Sequence, residues 1–145
     1  MEHLLGRYSP LIYALTRIIV GMMYWMHGTT KIFAWPPGSR RPIADLTSTI
    51  GVAGMLEVVL GVLIIVGFLG SYAAFIASGE MAAAYFMAQY PYAILPIRPA
   101  PGILAESAVF NCFFFLYVAS KGSGILSVDD FLRRRRAMTA PAVPA

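Results

Sequence analysis

Six ionisable side chains interrupt stretches that are otherwise almost wholly apolar: Arg17, His27, Lys31, Glu57, Glu80 and Glu106. Each is costly inside a lipid-spanning segment, at about 2.5–3.5 kcal/mol on insertion scales, so such groups turn inward, pair with one another and mark proton or solute pathways. Glutamate and histidine can take up and release a proton, which makes His27, Glu57 and Glu80 the candidate catalytic residues. Lys31 and Glu106, with Glu57, are the candidates for a polar binding rim. Arg17 needs an anionic partner at the other end of the molecule, and Asp129 or Asp130 is expected to supply it. The competing reading is structural: buried ion pairs can fix helix register without doing chemistry.

The elements that must carry these residues follow from composition. The chain has 145 residues, of which 59% are hydrophobic and 12% charged, and its mean hydropathy is +0.70. Soluble domains carry about 25% charged residues, and disordered chains more still. A lipid-spanning helix needs about 20 mostly apolar residues. Four blocks of about that length fit: Pro10 to Trp35, Ile50 to Leu69, Tyr72 to Gln89, and Ile103 to Ser120. They are apolar on both parities, which excludes the alternating pattern of a membrane barrel. The expected fold class is therefore all-α, a four-transmembrane-helix antiparallel bundle.

Ser9 is expected to cap the first helix, with Pro10 in its first turn. Trp35-Pro36-Pro37-Gly38 ends that helix. Gly70-Ser71 reads as the turn between the second and third helices, and Gly122-Ser123-Gly124 as the break after the fourth. The connector holding Pro91, Pro96, Pro99 and Pro101 is expected to lie over the mouth of the bundle. The chain thus divides into an N-terminal segment (1–9), a membrane domain (10–130) and a basic, partly disordered C-terminal tail (131–145).

The formal net charge is +4, and Arg133 to Arg136 form one run. With four spans both termini share a side. That side would hold Arg7, Lys121 and the arginine run, six cations, against Lys31, Arg40, Arg41 and Arg98 on the other. The balance predicts cytoplasmic termini, and without the run it would reverse. No interleaved aromatics accompany the run, so nucleic acid is not an expected partner. His27 and His3 are the two histidines. His3 precedes the first helix, so a bis-histidine haem is excluded, and no metal-ligand spacing is legible.

At about 100° per residue, each helix shows one polar or small stripe. These are Arg17, Gly21, Tyr24, Gly28 and Lys31 on the first, with His27 at its edge. Gly54, Glu57 and Gly61 form the second, Ala73, Ala77, Glu80 and Ala84 the third, and Glu106, Phe110, Phe113 and Tyr117 the fourth. Counting about 1.5 Å per residue from each block's centre matches His27 with Glu57 in depth, and Lys31 with Glu106. Glu80 falls near the midplane. Ser78 and Asn111 are expected as interhelical hydrogen-bond partners, Cys112 as packing, and Phe113-Phe114-Phe115 as lipid-facing and packing surface.

Several short segments together resemble the DoxX-like family. Arg17, Gly21 and His27-Gly28-x-x-Lys31 look like its opening signature. Glu57-x-x-x-Gly61 followed by Gly67 resembles its second helix, and Ala73-Ala74 with Met81 and Ala84 its third. Glu106 and Gly122-Ser123-Gly124-x-x-Ser127-x-Asp129 resemble its fourth helix and the turn after it. The likeness covers about residues 10–130. It implies a small four-helix protein of the bacterial inner membrane. Several such proteins are subunits of quinone-linked oxidoreductases, thiosulfate–quinone oxidoreductase among them. The resemblance therefore implies a quinone as the small molecule served, no covalently bound cofactor, and lipid plus other subunits of a redox complex, or further copies of the chain, as partners. A non-catalytic assembly subunit and a small-solute or proton carrier are the rival readings.

Overall fold

The structure, a computed structural model, describes residues 2–37, 44–89 and 105–139. The proline-rich connector expected to cover the helices, the cations Arg40, Arg41 and Arg98, and the last six residues lie outside the described residues. Five helices result: α1 (Ser9–Ile32), α2 (Thr49–Val66), α3 (Gly70–Ala84), α4 (Ala105–Lys121) and α5 (Val128–Thr139). No strand occurs among the described residues. Of these helices α2 is long and apolar enough, by length and composition, to cross a membrane.

The first helix does not begin at a serine cap. Helical turns over Glu2–Leu5 and Gly6–Tyr8 run into it. Ser9 itself is helical, and its amide bonds the Gly6 carbonyl. Pro10 lies in the first turn, where a missing N–H is tolerated. At α2 the expected chemistry of helix ends is present: Ser48 Oγ accepts from the Gly51 amide at 3.0 Å. Its C-terminus closes on Gly67, whose φ of +67° is left-handed. The turn into α3 is therefore Gly67–Leu69, three residues before the Gly70-Ser71 turn expected from sequence. Gly70 instead opens α3 and touches Ser123, where a Cβ would collide with the serine hydroxyl.

Glycines bring α1 and α2 together. A Cβ on Gly28 would lie 2.7 Å from the Gly54 carbonyl oxygen and 2.8 Å from the Val58 amide nitrogen. A Cβ on Gly61 would press on the Trp25 backbone. Gly21 meets Ile64 and Ile65, so the contacts run in opposite chain directions. Small residues do the same for α3 and α4: Ala73, Ala74 and Ala77 are buried, and Ser78 Oγ donates to the Cys112 carbonyl at 2.8 Å. The core joins these to Tyr24, Leu60, Ile64, Met81, Phe115 and Val118.

The stripes expected on α1 and α2 face inward; the one expected on α4 does not. Glu106, Phe110, Phe113 and Tyr117 are all exposed, and α4 turns Ala108, Phe115 and Val118 inward. Helix packing favours the face that carries a small residue, here Ala108, over one built of aromatic rings. The phenylalanine run is accordingly divided: Phe113 lies outside and Phe115 is fully buried against Tyr24. Outward faces are strongly apolar. Ile19, Met23, Val59, Phe75, Phe86 and Phe113 are each more than half exposed.

The helix α5 extends beyond the arginine run to Thr139, into the segment expected as disordered. Asp129 and Asp130 occupy its first turn and Arg136 its last, which suits the helix dipole. Asp130 also pairs with Arg133 and Arg134, one turn further on.

Candidate functional site

Two polar constellations lie among these helices. The first sits where α1, α2 and α3 meet. The Gly28–Gly54 contact brings α1 close enough for Lys31 Nζ to reach Glu57 Oε2 at 2.7 Å. Glu57 is 1% exposed, whereas the Lys31 side chain remains partly accessible. Nearby, Tyr24 donates a hydrogen bond to Glu80 Oε2 across the α1–α3 contact. Its ring lies edge-on to Phe115 at 4.9 Å between centroids. The charge of Glu57 acts on both Tyr24 and Glu80, and that of Lys31 acts on Glu80. Lys31, Glu57, Tyr24 and Glu80 therefore make one electrostatically connected carboxylate layer.

The layer differs in membership from the depth-matched pairs. Lys31 pairs with Glu57, in place of Glu106. A count of depth along each helix cannot rank partners on neighbouring helices. His27 lies on the exposed side of α1, and Glu106 is exposed in the first turn of α4. Tyr24 was legible only as a member of the α1 stripe. Its bond to Glu80 depends on how α1 crosses α3, which no sequence periodicity encodes.

The second constellation ties the α2–α3 turn to the α4–α5 turn. Arg17, fully buried, donates to the Ile64 carbonyl. It also donates to the Ile65 and Leu126 carbonyls, each at 2.9 Å. Asp129 accepts from the Leu69 amide at 3.0 Å, the Gly70 amide at 3.1 Å and Ser123 Oγ at 2.6 Å. Its own amide bonds the Gly67 carbonyl at 3.0 Å. Arg17 thus caps the end of α2, and Asp129 caps the start of α3. The two act through charge across one network, with their hydrogen bonds directed to backbone groups and to the Ser123 hydroxyl. Burial opposes ionisation of Asp129. The bonds from Ser123, Gly70 and Leu69, with the Arg17 charge, outweigh it and hold the carboxyl below its usual range.

Two non-glycine residues here are left-handed, Leu69 at φ +50° and Leu126 at φ +55°. Such conformations are disfavoured for branched side chains and persist where surroundings over-determine them. Asp129 holds the Leu69 amide and Arg17 the Leu126 carbonyl, so each strained residue is clamped by one of the two charges. Ser127 Oγ accepts from the Asp130 amide at 3.1 Å and starts α5. The hydroxyl of Tyr13 donates to the Gly122 carbonyl at 2.6 Å.

These features define a class: a small all-helical protein with charged groups buried between helices whose outer faces are apolar. The chain belongs to the DoxX family, whose model matches residues 12–90 and whose members are small membrane proteins. An uncharacterized protein of Haemophilus influenzae is 36% identical over 132 residues, covering 87% of this chain and 94% of the relative. No solved structure matches. A protein of this family would sit in a lipid bilayer.

Proposed function

We propose that the chain is a four-span subunit of a quinone-linked oxidoreductase in a bacterial inner membrane, with both termini cytoplasmic, and that the carboxylate layer handles its protons. The spans are α1, α2, α3 with its π-helical continuation Tyr85–Gln89, and α4, forming an antiparallel bundle. One observation carries the reading. Lys31–Glu57 and Tyr24–Glu80 are two side-chain pairs between helices, and their charges act on one another, so two carboxyl groups, an ammonium and a phenol are electrostatically connected. Glutamates in membranes commonly act as proton relays.

The donor set suits a quinone head, whose two carbonyls need hydrogen-bond donors. The partly accessible Lys31 ammonium, which keeps N–H groups beyond the one facing Glu57, is such a donor. Conversion to quinol consumes two electrons and two protons. In this reading a redox-active partner subunit delivers the electrons, and Glu80 and Glu57 pass the protons. His27 and Glu106, both exposed, are the groups through which protons or substrate would enter. The rival is an assembly subunit whose charges only lock the helices.

Membranes lacking the native chain and complemented with Glu57→Gln or Glu80→Gln variants separate the two. The proposal expects normal levels of assembled Glu80→Gln protein with quinone reduction lowered about a hundredfold, within the usual range for loss of a general acid–base group. Full quinone reduction by assembled Glu80→Gln and Glu57→Gln variants would leave the scaffold reading in its place.

A further inference from the structure

The C-terminal helix is not used by the carboxylate layer, and its residues beyond Asp130 are all exposed. We infer that α5 lies flat on the membrane surface and binds the anionic phospholipid headgroups of the leaflet where α2 ends.

Its position is set first. The Asp129 amide bonds the Gly67 carbonyl at 3.0 Å, and Gly67 immediately follows the last residue of α2, Thr49–Val66. Eighteen residues rise about 27 Å, close to the hydrocarbon thickness of about 30 Å. A helix pinned to that end starts at the headgroup layer.

Its composition fits the same place. At about 100° per residue, Val128, Phe131, Leu132, Arg135 and Met138 fall on one arc. Arg134 and Arg136 border that arc on either side, and Arg133 points away from it. Phe131 and Met138 are more than half exposed, and Val128 and Leu132 keep more than a third of their surface open, so the apolar arc is only partly covered by the described residues. Arg135 lies over the Phe131 ring, 5.2 Å from its centroid, so its long stem runs along the apolar face. Flanking cations with long stems let an apolar arc sink into the acyl boundary while their charges stay among phosphates. Asp130 offsets part of the charge of Arg133 and Arg134, which leaves Arg135 and Arg136 as the principal phosphate contacts. Asp129 adds nothing to the outer surface, because it turns inward to cap α3.

The occupant is therefore the chain's own bilayer, identified by charge: acidic headgroups above an apolar layer. The test uses the full chain in lipid nanodiscs, with amide hydrogen exchange read over Leu132–Thr139. Exchange is expected to be slower in discs containing phosphatidylglycerol than in pure phosphatidylcholine discs, with the difference shrinking as salt rises. Neutralising Arg135 or Arg136 to glutamine should each reduce that protection about fivefold, the equivalent of about 1 kcal/mol per cation at an anionic surface. Both variants, Arg135→Gln and Arg136→Gln, retain the Asp129 cap, so unchanged exchange over α2 and α3 confirms that they fold. Equal exchange in the two kinds of disc would overturn the inference. So would protection that follows protein concentration in place of lipid charge, which would assign the face to a second copy of the chain.

Discussion

The carboxylate layer and the α2–α3 turn both bury charge, yet they satisfy it in opposite ways. At the turn, Arg17 and Asp129 direct their hydrogen bonds to main-chain groups and to the Ser123 hydroxyl. Those partners cannot change protonation, so the arrangement has one stable state. In the layer, Lys31, Glu57, Tyr24 and Glu80 bond side chain to side chain. Every one of those groups can gain or lose a proton, and a shift of one proton rearranges the rest. A charge held by backbone is suited to fixing a fold, whereas a charge held by other titratable groups is suited to exchange.

The largest effect expected is at the turn. Arg17→Leu strands the Ile64, Ile65 and Leu126 carbonyls and releases the strained Leu126. With three charge-assisted bonds lost at about 1.5–3 kcal/mol each, the loss of stability should be about 4.5–9 kcal/mol. Unfolding in mixed micelles, or the yield of folded protein, reads it. A loss below about 1 kcal/mol, the scale of an exposed pair, would remove the distinction between the two regions.

Next is the contact that positions the layer. Gly28→Ala places a methyl against the Gly54 carbonyl and the Val58 amide, both backbone atoms that cannot swing aside. Forcing α1 from α2 should destabilise by about 1–3 kcal/mol. It should also separate Lys31 from Glu57, so quinone reduction falls further than the amount of folded protein does. A matched fall in both would mean that the layer tolerates a looser geometry than proposed.

Asp129→Asn keeps the shape of the cap and removes its charge, for an expected loss of about 0.5–2 kcal/mol. The pH dependence sharpens this. Because the folded carboxyl is held below its usual range, its contribution is complete above about pH 4, the ordinary aspartate value. It disappears as pH falls through the lower folded value. The native chain should therefore lose stability in acid more steeply than Asp129→Asn. Parallel pH curves for the two proteins would show that the charge contributes nothing.

Gly79→Ala gives the smallest effect and serves as the control for Gly28. A Cβ there meets nothing within 4 Å. Alanine in a helix interior is favoured over glycine by about 0.5–1 kcal/mol, so a slight gain in unfolding temperature is expected. A clear loss would point to a contact on that face of α3.

How much of this was legible in the sequence depends on whether a neighbour was needed to decide it. Helices and their approximate ends follow from apolar runs and from prolines and glycines, which act locally. The inward stripes of α1 and α2 were readable because glycines accompany the charged residues. On α4 the same rule misled: Glu106 drew the stripe toward Phe110, Phe113 and Tyr117, while Ala108 marked the true contact face. Pairing was harder still. Lys31 had two carboxylates at accessible depths, and the Gly28–Gly54 contact, a property of two helices together, selects Glu57. The Leu69 and Leu126 conformations left no trace in composition, since leucine is an uncommon residue for a left-handed turn.

The claim that one region exchanges protons while the other only holds the fold can be read directly by redox-triggered infrared difference spectroscopy on the membrane complex. The account predicts a change in carboxyl absorption when quinone is reduced, lost in Glu80→Gln and retained in Asp129→Asn. An unchanged signal in Glu80→Gln, or one abolished by Asp129→Asn, would contradict it.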